Sequence, residues 1–422
     1  MIALYLIAIA LLLVAVALAT ALTVGILVPV LRGLRCDGAT ANSRTSLDAK
    51  NELPAYLAPS SGEPDPSLRW PGWDGWYFFM VPDDIRLPLK MVRASIMTGL
   101  YGLDGVDDYS KLPPGLSAFH AIEHLVLTPT EVSTPDGLAK LNFLSHRYLP
   151  KRTALGIHRN VLDVTSDRAN GSQLDAMRPY GRVEGAWPRY RFDFVNPDAE
   201  IKLSLQCTMK DIIWWVDIPG IFTYFAAFGD FSGSITYGRG AFPREPGAET
   251  NEPQTYAIEG RGAFEHGYAR KPFNFDTLWY PVRIIEALVP SFKAIRYQYE
   301  LFLGDHDLHG GFMLARGFGI DFRNLGGLYL NGDYVTIKRV TIEYPEAGSE
   351  KAAIGRDGRS VTFHREWKVS GVTDHGLLEY TGRREWPPPR VSSNMIYYNF
   401  SFSGSFKGKS ISGTGYGEYL SL

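Results

Sequence analysis

The stretch IEGRGAFE at residues 258–265 returns as ISGTGYGE at residues 411–418, and the predicted fold rests on this recurrence. A second pair of blocks, FSGSI at 231–235 and FSGSF at 402–406, precedes the first pair in the same order. The members of the two pairs are 153 and 171 residues apart. A polar insertion rich in Pro and Gly around residues 237–256 accounts for the difference. The chain is therefore predicted to contain an internal duplication.

The length of the repeat indicates the kind of domain that is duplicated. A period of about 150 residues is too long for a solenoid or a propeller blade, and it matches one closed antiparallel barrel of the lipocalin type. Glycines inside a strand pattern permit the bulges and bends that a curving sheet needs. The 43 glycines, 27 prolines, 23 tyrosines and 23 phenylalanines also favour short strands and tight turns. We therefore predict a mainly β fold with two tandem lipocalin-like antiparallel β-barrels.

The amino-terminal segment predicts a membrane anchor. Residues 1–31 carry no charged side chain, and a spanning helix needs about 20 apolar residues. A cleaved signal peptide, the alternative, normally has a basic residue before a shorter apolar core. Here Arg32 and Arg35 follow the apolar run instead. By the positive-inside rule, the chain is predicted to be a single-pass membrane protein with its folded part on the cytoplasmic side.

The rest of the chain divides into three parts. Residues 32–69 are polar and rich in Pro, Ser and Ala, which is typical of a linker. The duplication then places the first barrel at residues 70–270 and the second at residues 271–422. Cys36 and Cys207 could form one disulfide, and Cys36 is also a candidate for juxtamembrane acylation.

The charge composition excludes one class of partner. The formal net charge is -2, and the 43 Lys and Arg residues are scattered along the chain. A nucleic-acid binder needs a basic face. We therefore expect no nucleic-acid partner.

The repeated blocks resemble a known group of proteins. The sequence YAIEGRGAFEH at residues 256–266 resembles the glycine-rich strand, ending in an acidic–His pair, of the carotenoid 1,2-hydratase (hydroxyneurosporene synthase) and AttH-like superfamily. Residues 413–419 are similar to that group's closing strand, and residues 329–335 to the hairpin before its late strands. Residues 74–77 are a weaker match to its opening motif. The resemblance covers residues 70–422.

The resemblance implies two lipocalin-like barrels with an apolar pocket. Members of the group include enzymes that hydrate an isoprenoid double bond, cyclising enzymes and lipid carriers, so the fold leaves the function open. This chain departs from the group at two places. Tyr268 and Ala269 stand where the group has a Trp-Gly pair. The group's Tyr-x-Asp pair in the next strand is matched only by Tyr297, Gln298 and Tyr299, which lack the acid.

Glu265 and His266 are the candidate catalytic residues. Hydration or isomerisation of an alkene needs a proton donor in a dry pocket, where burial raises the pKa of a carboxyl group. Neighbouring residues of a strand point to opposite faces, so only one of the two can face a barrel interior. The resemblance favours His266. The alternative is that His266 hydrogen-bonds backbone at a barrel end.

Four aromatic residues are candidates for ligand binding. Tyr297 and Tyr299 are two positions apart and are predicted to share a strand face. They could orient a polar group or stabilise a cation, or they could be ordinary core. Trp76 belongs to the opening motif, and Tyr268 stands at the position of the group's Trp, so the resemblance implies that both line the pocket.

Two histidine-rich stretches are weighed as metal sites. Residues 120–124, HAIEH, have the H-x-x-E-H spacing of inverted zinc proteases, which requires a helix. The following residues 125–129 indicate a strand that runs into a turn. Residues 305–309, DHDLH, lie between glycines and indicate a hairpin turn. No metal site and no cofactor are therefore predicted.

Together these features predict a membrane-anchored protein that binds an isoprenoid or another lipid-like small molecule. The anchor would keep the pocket near the membrane in which such a ligand dissolves. Catalysis would be cofactor-free hydration, isomerisation or cyclisation, with His266 and Glu265 transferring protons. The alternatives are a non-catalytic lipid carrier and a scaffold with filled barrels.

Overall fold

The protein is described by a computed structural model. The described residues are 34–35, 73–84, 87, 91–98, 118–126, 144–148, 153–158, 161–166, 180–186, 188–196, 201–218, 222–237, 253–269, 295–317, 320–345, 349–352, 361–384, 391–392 and 395–421. These residues form strands and turns, and none of them belongs to a helix long and apolar enough to cross a membrane. The predicted anchor, residues 1–31, lies outside the described residues.

The strands are numbered in chain order. They are β1 (Leu34–Arg35), β2 (Trp73–Pro82), β3 (Met91–Thr98), β4 (Ala118–Val126), β5 (Leu144–Tyr148), β6 (Thr153–His158), β7 (Val161–Ser166), β8 (Tyr180–Ala186), β9 (Arg189–Asn196), β10 (Ile201–Ile218), β11 (Phe222–Tyr237), β12 (Gln254–Ala269), β13 (Ile295–Gly304), β14 (His309–Gly317), β15 (Ile320–Leu330), β16 (Asp333–Glu343), β17 (Ser349–Ala352), β18 (Val361–His364), β19 (Glu366–Thr373), β20 (Gly376–Arg384), β21 (Val391–Ser392), β22 (Met395–Phe406) and β23 (Lys409–Ser421).

The first half of the chain forms one antiparallel sheet. Its order is β5-β4-β3-β2-β12-β11-β10-β9-β8-β7-β6, and β1 pairs with β10 as a twelfth strand. The end strands β5 and β6 do not pair with each other, so the described part of this sheet is not the closed barrel that the sequence predicts. Leu34 and Arg35, within the predicted linker, pair with Val216 and Trp215.

The second half forms a closed barrel. Eight antiparallel strands run in the order β20-β19-β16-β15-β14-β13-β23-β22, and β20 pairs with β22 to complete the ring. This confirms the barrel predicted for the second half. Its interior is filled by buried side chains, among them Phe302, Leu328, Val335, Ile337, Trp367, Tyr380, Phe400 and Phe402.

The two halves pack against each other through a shared apolar cluster, which we call the seam. The seam consists of Phe79, Met91, Ile213, Trp214, Tyr224, Ala226, Phe228 and Ala263 from the first sheet and Tyr299, Leu301, Leu303 and Tyr416 from the barrel. The opposite face of the first sheet has a separate aromatic core, in which Phe264 contacts the rings of Tyr190, Phe192 and Phe225. The residues that the structure describes therefore pack into three cores.

The repeated glycines have the same role in both halves. A Cβ atom on Gly233 would lie 2.0 Å from the carbonyl oxygen of Ser204, and one on Gly404 would lie 1.9 Å from that of Glu379. Both distances are far below contact distance, so only glycine lets the neighbouring strand approach this closely. The β11–β12 hairpin therefore corresponds to the β22–β23 hairpin, as the sequence repeat predicts.

The two hairpins differ in their connections. Phe406 pairs with Lys409 across a turn formed by Lys407 and Gly408, both with positive φ. In the first half, the connection between β11 and β12 takes residues 238–253. The insertion inferred from the sequence therefore lies where a hairpin connection lengthens.

Substitution of Gly404 tests the close strand approach. We expect Gly404→Ala to destabilise the protein by about 3 kcal/mol, because the added methyl group must displace backbone at Glu379. Ser403→Ala, at an exposed neighbouring position, should change the stability by less than about 0.5 kcal/mol. Urea unfolding of both variants measures this, and equal midpoints would contradict the packing role of the glycine.

Candidate functional site

Strand alternation separates the two candidate catalytic residues. On β12, Phe264 and His266 face the aromatic core of the first sheet, where the His266 ring meets that of Phe225 edge-on at 6.1 Å. Ala263 and Glu265 face the seam. This confirms the prediction that the two residues point in opposite directions. Glu265 thus lies between the two halves of the protein, and His266 lies inside the first.

Glu265 belongs to a hydrogen-bonded chain that crosses the seam. Its side chain is buried, and the hydroxyl of Tyr224 donates to Glu265 Oε2 at 2.6 Å. The hydroxyl of Tyr299 lies 3.0 Å from that of Tyr224. Because Tyr224 gives its only proton to Glu265, Tyr299 must be the donor in the second bond. The chain Tyr299–Tyr224–Glu265 therefore joins the barrel to the first sheet.

Tyr224 and Tyr299, the two tyrosines of this hydrogen-bonded chain, remain protonated. Burial is the main cause that raises the pKa of Tyr224 and of Tyr299 well above the ordinary value, and the charge of Glu265 raises both further. A phenol that cannot ionise near neutral pH acts as a fixed hydrogen-bond donor. The Glu265 carboxyl thus accepts a hydrogen bond from Tyr224, and the Tyr224 hydroxyl is oriented by a hydrogen bond from Tyr299.

Aromatic rings border the hydrogen-bonded chain Tyr299–Tyr224–Glu265. The indole ring of Trp214 meets the Tyr299 ring edge-on at 5.4 Å, and the rings of Tyr297 and Tyr299 are stacked at 6.3 Å. The prediction that Tyr297 and Tyr299 share a strand face is confirmed. The face that they share is the seam and not the interior of the barrel.

The other two predicted ligand-binding residues are described by their backbones alone. The backbone of Trp76 pairs with that of His266, and the backbone of Tyr268 pairs with that of Asp74. Both therefore lie on the strands β2 and β12 that carry the candidate site. The side chains of Trp76 and Tyr268 lie outside the described part of the structure, and their roles stay predictions.

The sequence repeat places a second carboxyl group in the seam. Glu418 occupies in the second block the position that Glu265 occupies in the first. Each of the two acids also pairs with a tyrosine on the adjacent strand. Glu265 pairs with Tyr77, and Glu418 pairs with Tyr299. The hydroxyl of Tyr416, a member of the seam, donates to Glu418 Oε1 at 2.6 Å.

Sequence reasoning missed a second buried acid, inside the barrel. Glu300 is fully buried, and its carboxyl accepts hydrogen bonds from Tyr380, from Tyr398 at 2.7 Å and from Gln298 Nε2 at 2.8 Å. Burial raises the pKa of Glu300 to about 7, although these three donors oppose the rise. The Tyr-x-Asp pattern of the resembled group places an acid at position 299, where this chain has Tyr299. The acid stands one residue further on and faces the opposite core.

The stretches weighed as metal sites are a strand and a turn. Residues 120–124 lie within β4, so they lack the helix that the zinc motif requires. Residues 305–308 turn between β13 and β14, with positive φ at His306 and Asp307, which confirms the predicted hairpin turn. Among the described residues, no three His, Cys, Asp or Glu side chains converge to hold a metal.

Cys207 is a free, buried thiol rather than half of a described disulfide. Burial raises its pKa. Its candidate partner, Cys36, lies outside the described residues.

Comparison with known proteins gives remote structural matches. No protein-family model and no curated protein matches the sequence. The structure is similar to that of CghA with Sch210972, at 11% identity and a TM-score of 0.47, covering 83% of this chain and 88% of CghA. It is also similar to a putative AttH from Nitrosomonas europaea (11% identity, TM-score 0.43, covering 87% and 99%) and to kievitone hydratase from Nectria haematococca (10% identity, TM-score 0.44, covering 84% and 92%).

The ionisation of Glu300 predicts a pH dependence of stability. Its pKa rises from 4.5 in the unfolded chain to about 7 in the folded one, so the folded state holds a proton that the unfolded state releases. This group's effect on stability is therefore absent below pH 4.5, and it lowers stability progressively up to about pH 7. The full loss is on the order of 3 kcal/mol.

Urea unfolding between roughly pH 4.5 and pH 8 measures this loss. Glu300→Gln should remove the decline that the wild-type protein shows across this window. Glu379→Gln, an exposed change on β20, should leave it in place. Parallel curves for the wild type and Glu300→Gln would show that Glu300 does not titrate as described.

Proposed function

We propose that this protein binds a hydrophobic small molecule at the seam and transfers a proton to it without a cofactor, as a hydratase or isomerase does. The observation that supports this proposal most is the buried hydrogen-bonded chain Tyr299–Tyr224–Glu265, which lies among apolar side chains. A buried ionisable group that is held by specific hydrogen-bond partners is a candidate functional group. The sequence resemblance to alkene-hydrating enzymes supports an isoprenoid-like substrate.

Glu265 is assigned the role of proton donor. When its carboxyl proton moves to one carbon of a double bond, the neighbouring carbon becomes cationic and Glu265 becomes a carboxylate. The Tyr224 hydroxyl stabilises that new charge because it already points at Oε2 and is oriented by Tyr299. Trp214 and Tyr297 offer ring faces near the same place, and these attract a carbocation.

The step that follows protonation determines which of two products forms. If water adds to the cationic carbon and loses a proton, the product is an alcohol, and the reaction is a hydration. If a neighbouring carbon loses a proton instead, the double bond has moved, and the reaction is an isomerisation. Glu418 is the second carboxyl group on the seam and is assigned the role of base that accepts this proton.

Membrane attachment belongs to the same proposal. The apolar residues 1–31 would hold the folded part at the cytoplasmic face of a membrane, where a lipid-like substrate is concentrated. A non-catalytic lipid carrier is the second candidate function. It is favoured by the departures from the hydratase motif at Tyr268 and Ala269.

Solvent extraction of the purified full-length protein, followed by mass spectrometry, tests the function. The wild type and Glu259→Gln, an exposed control on β12, should release the reaction product. Glu265→Gln should bind the same class of compound and release the unreacted alkene, because the amide cannot donate the proton. For hydration, that compound is lighter by one water.

Other outcomes separate the alternatives. An identical compound from all three proteins would show a carrier. No compound from any of them, with no uptake of a hydrophobic dye, would show a scaffold. If His266→Gln and not Glu265→Gln changes the extracted compound, the reacting group lies in the first sheet's core and the seam is not the site.

A further inference from the structure

Trp214 brings a buried hydrogen-bond donor into the seam. Its side chain is 1% exposed, and its Nε1–H donates to no acceptor among the residues that the structure describes. An indole N–H can only donate, and a buried one usually has an acceptor. Leaving it unpaired costs free energy, because the group gave up its hydrogen bond to water on folding. Trp214 therefore offers a bound molecule a hydrogen bond that no described residue uses.

A β-bulge turns the Trp214 side chain into the seam. Ile212 and Trp214 pair with successive residues of β11, and Ile213 is the extra residue between them on β10. Ile213 and Trp214 consequently both face the seam, although they are neighbours on one strand. In a regular strand, the side chain that follows Ile213 would point to the opposite face of the sheet. Bulges of this kind re-aim side chains next to binding sites.

The strand register places Trp214 in one row with Glu265, the proton donor assigned above. Trp214 pairs with Ala226, and Ala226 pairs with Glu265, so the three side chains lie side by side across β10, β11 and β12. Neighbouring strands are about 4.8 Å apart, which puts the backbones of Trp214 and Glu265 about 10 Å apart. Ala226 between them carries only a methyl group. The indole N–H and the carboxyl group can therefore both reach one molecule that lies over Ala226.

The barrel fixes the position of the indole ring. The ring of Tyr299 on β13 meets it edge-on, with the ring centres 5.4 Å apart. On β14, a Cβ atom added to Gly311 would lie 3.0 Å from Cη2 of Trp214, so the glycine lets the indole approach closely. A few fixed polar groups in an otherwise apolar site determine how a ligand is oriented. The N–H of Trp214 meets this description.

We propose that Trp214 Nε1–H donates a hydrogen bond to an ether, carbonyl or hydroxyl oxygen of the substrate and so holds the reacting double bond at Glu265. This inference rests on the function proposed for the seam, and it names the substrate class as an oxygen-bearing alkene rather than a pure hydrocarbon. The spacing of the two residues puts the oxygen within about 10 Å of the double bond. A hydrocarbon would leave the indole N–H unpaired and would bind more weakly.

The test is a competition between two probes. The full-length protein is incubated with equal amounts of farnesyl methyl ether and of the hydrocarbon in which a methylene group replaces the ether oxygen. Mass spectrometry of the extracted protein gives the bound ratio, counting each probe together with its hydrated or isomerised form. Replacing Trp214 by benzothienylalanine puts sulfur in place of the N–H and keeps the ring size. This variant should lower the ratio of ether to hydrocarbon about tenfold. Trp367→Phe, which removes an indole N–H inside the barrel, should keep the wild-type ratio.

The possible failures of this inference and of the proposed function differ. If both probes bind and the benzothienylalanine variant keeps the wild-type ratio, the role of Trp214 is wrong and the seam remains the binding site. An equal fall of the ratio in Trp367→Phe would also overturn that role, because the effect would not come from the seam. Binding of neither probe to the wild type overturns this inference together with the proposed function. If the benzothienylalanine variant does not fold, Trp214→Phe replaces it, with the same expected loss.

Discussion

The strands β12 and β13 each separate two hydrophobic cores, and this constraint determines where Glu265, His266, Tyr299 and Glu300 lie. On β12, His266 enters the core of the first sheet and Glu265 enters the seam. On β13, Tyr299 enters the seam and Glu300 enters the barrel. A register slip of one residue would exchange all of these environments. Glu265 and Glu300 therefore lie in different cores, and each accepts hydrogen bonding from tyrosine hydroxyls of its own core.

The duplication was predictable because its signal is local. Short glycine blocks reveal the repeat, and a Cβ atom would collide with the adjacent strand at Gly233 and at Gly404. The closure of the second barrel followed from the repeat length. The first sheet does not close within the described residues, because β5 and β6 remain at opposite ends of its order. Nothing in the strand patterns specifies which distant strands will pair, since pairing depends on register across long connections.

The candidate site was predictable only in part, for the same reason. Glu265 was found because it stands in a motif, whereas its partner Tyr224 is 41 residues away and meets it only through the register of two strands. Trp214 lies in an apolar run that carries no sign of its contact with Tyr299. Glu300 could have been found, because an acid in the aromatic and aliphatic stretch YQYELFL at residues 297–303 must be buried if that strand is central.

Locating the ligand tests the proposed site at the seam more directly than any other measurement. A diazirine-bearing isoprenoid alcohol is bound to the full-length protein, activated by light and mapped to individual residues by mass spectrometry. Binding at the seam predicts labels on its side chains, chiefly Trp214 and Tyr297, because these border the Tyr299–Tyr224–Glu265 chain. Labels confined to Phe225 and to other residues of the first sheet's aromatic core would contradict it.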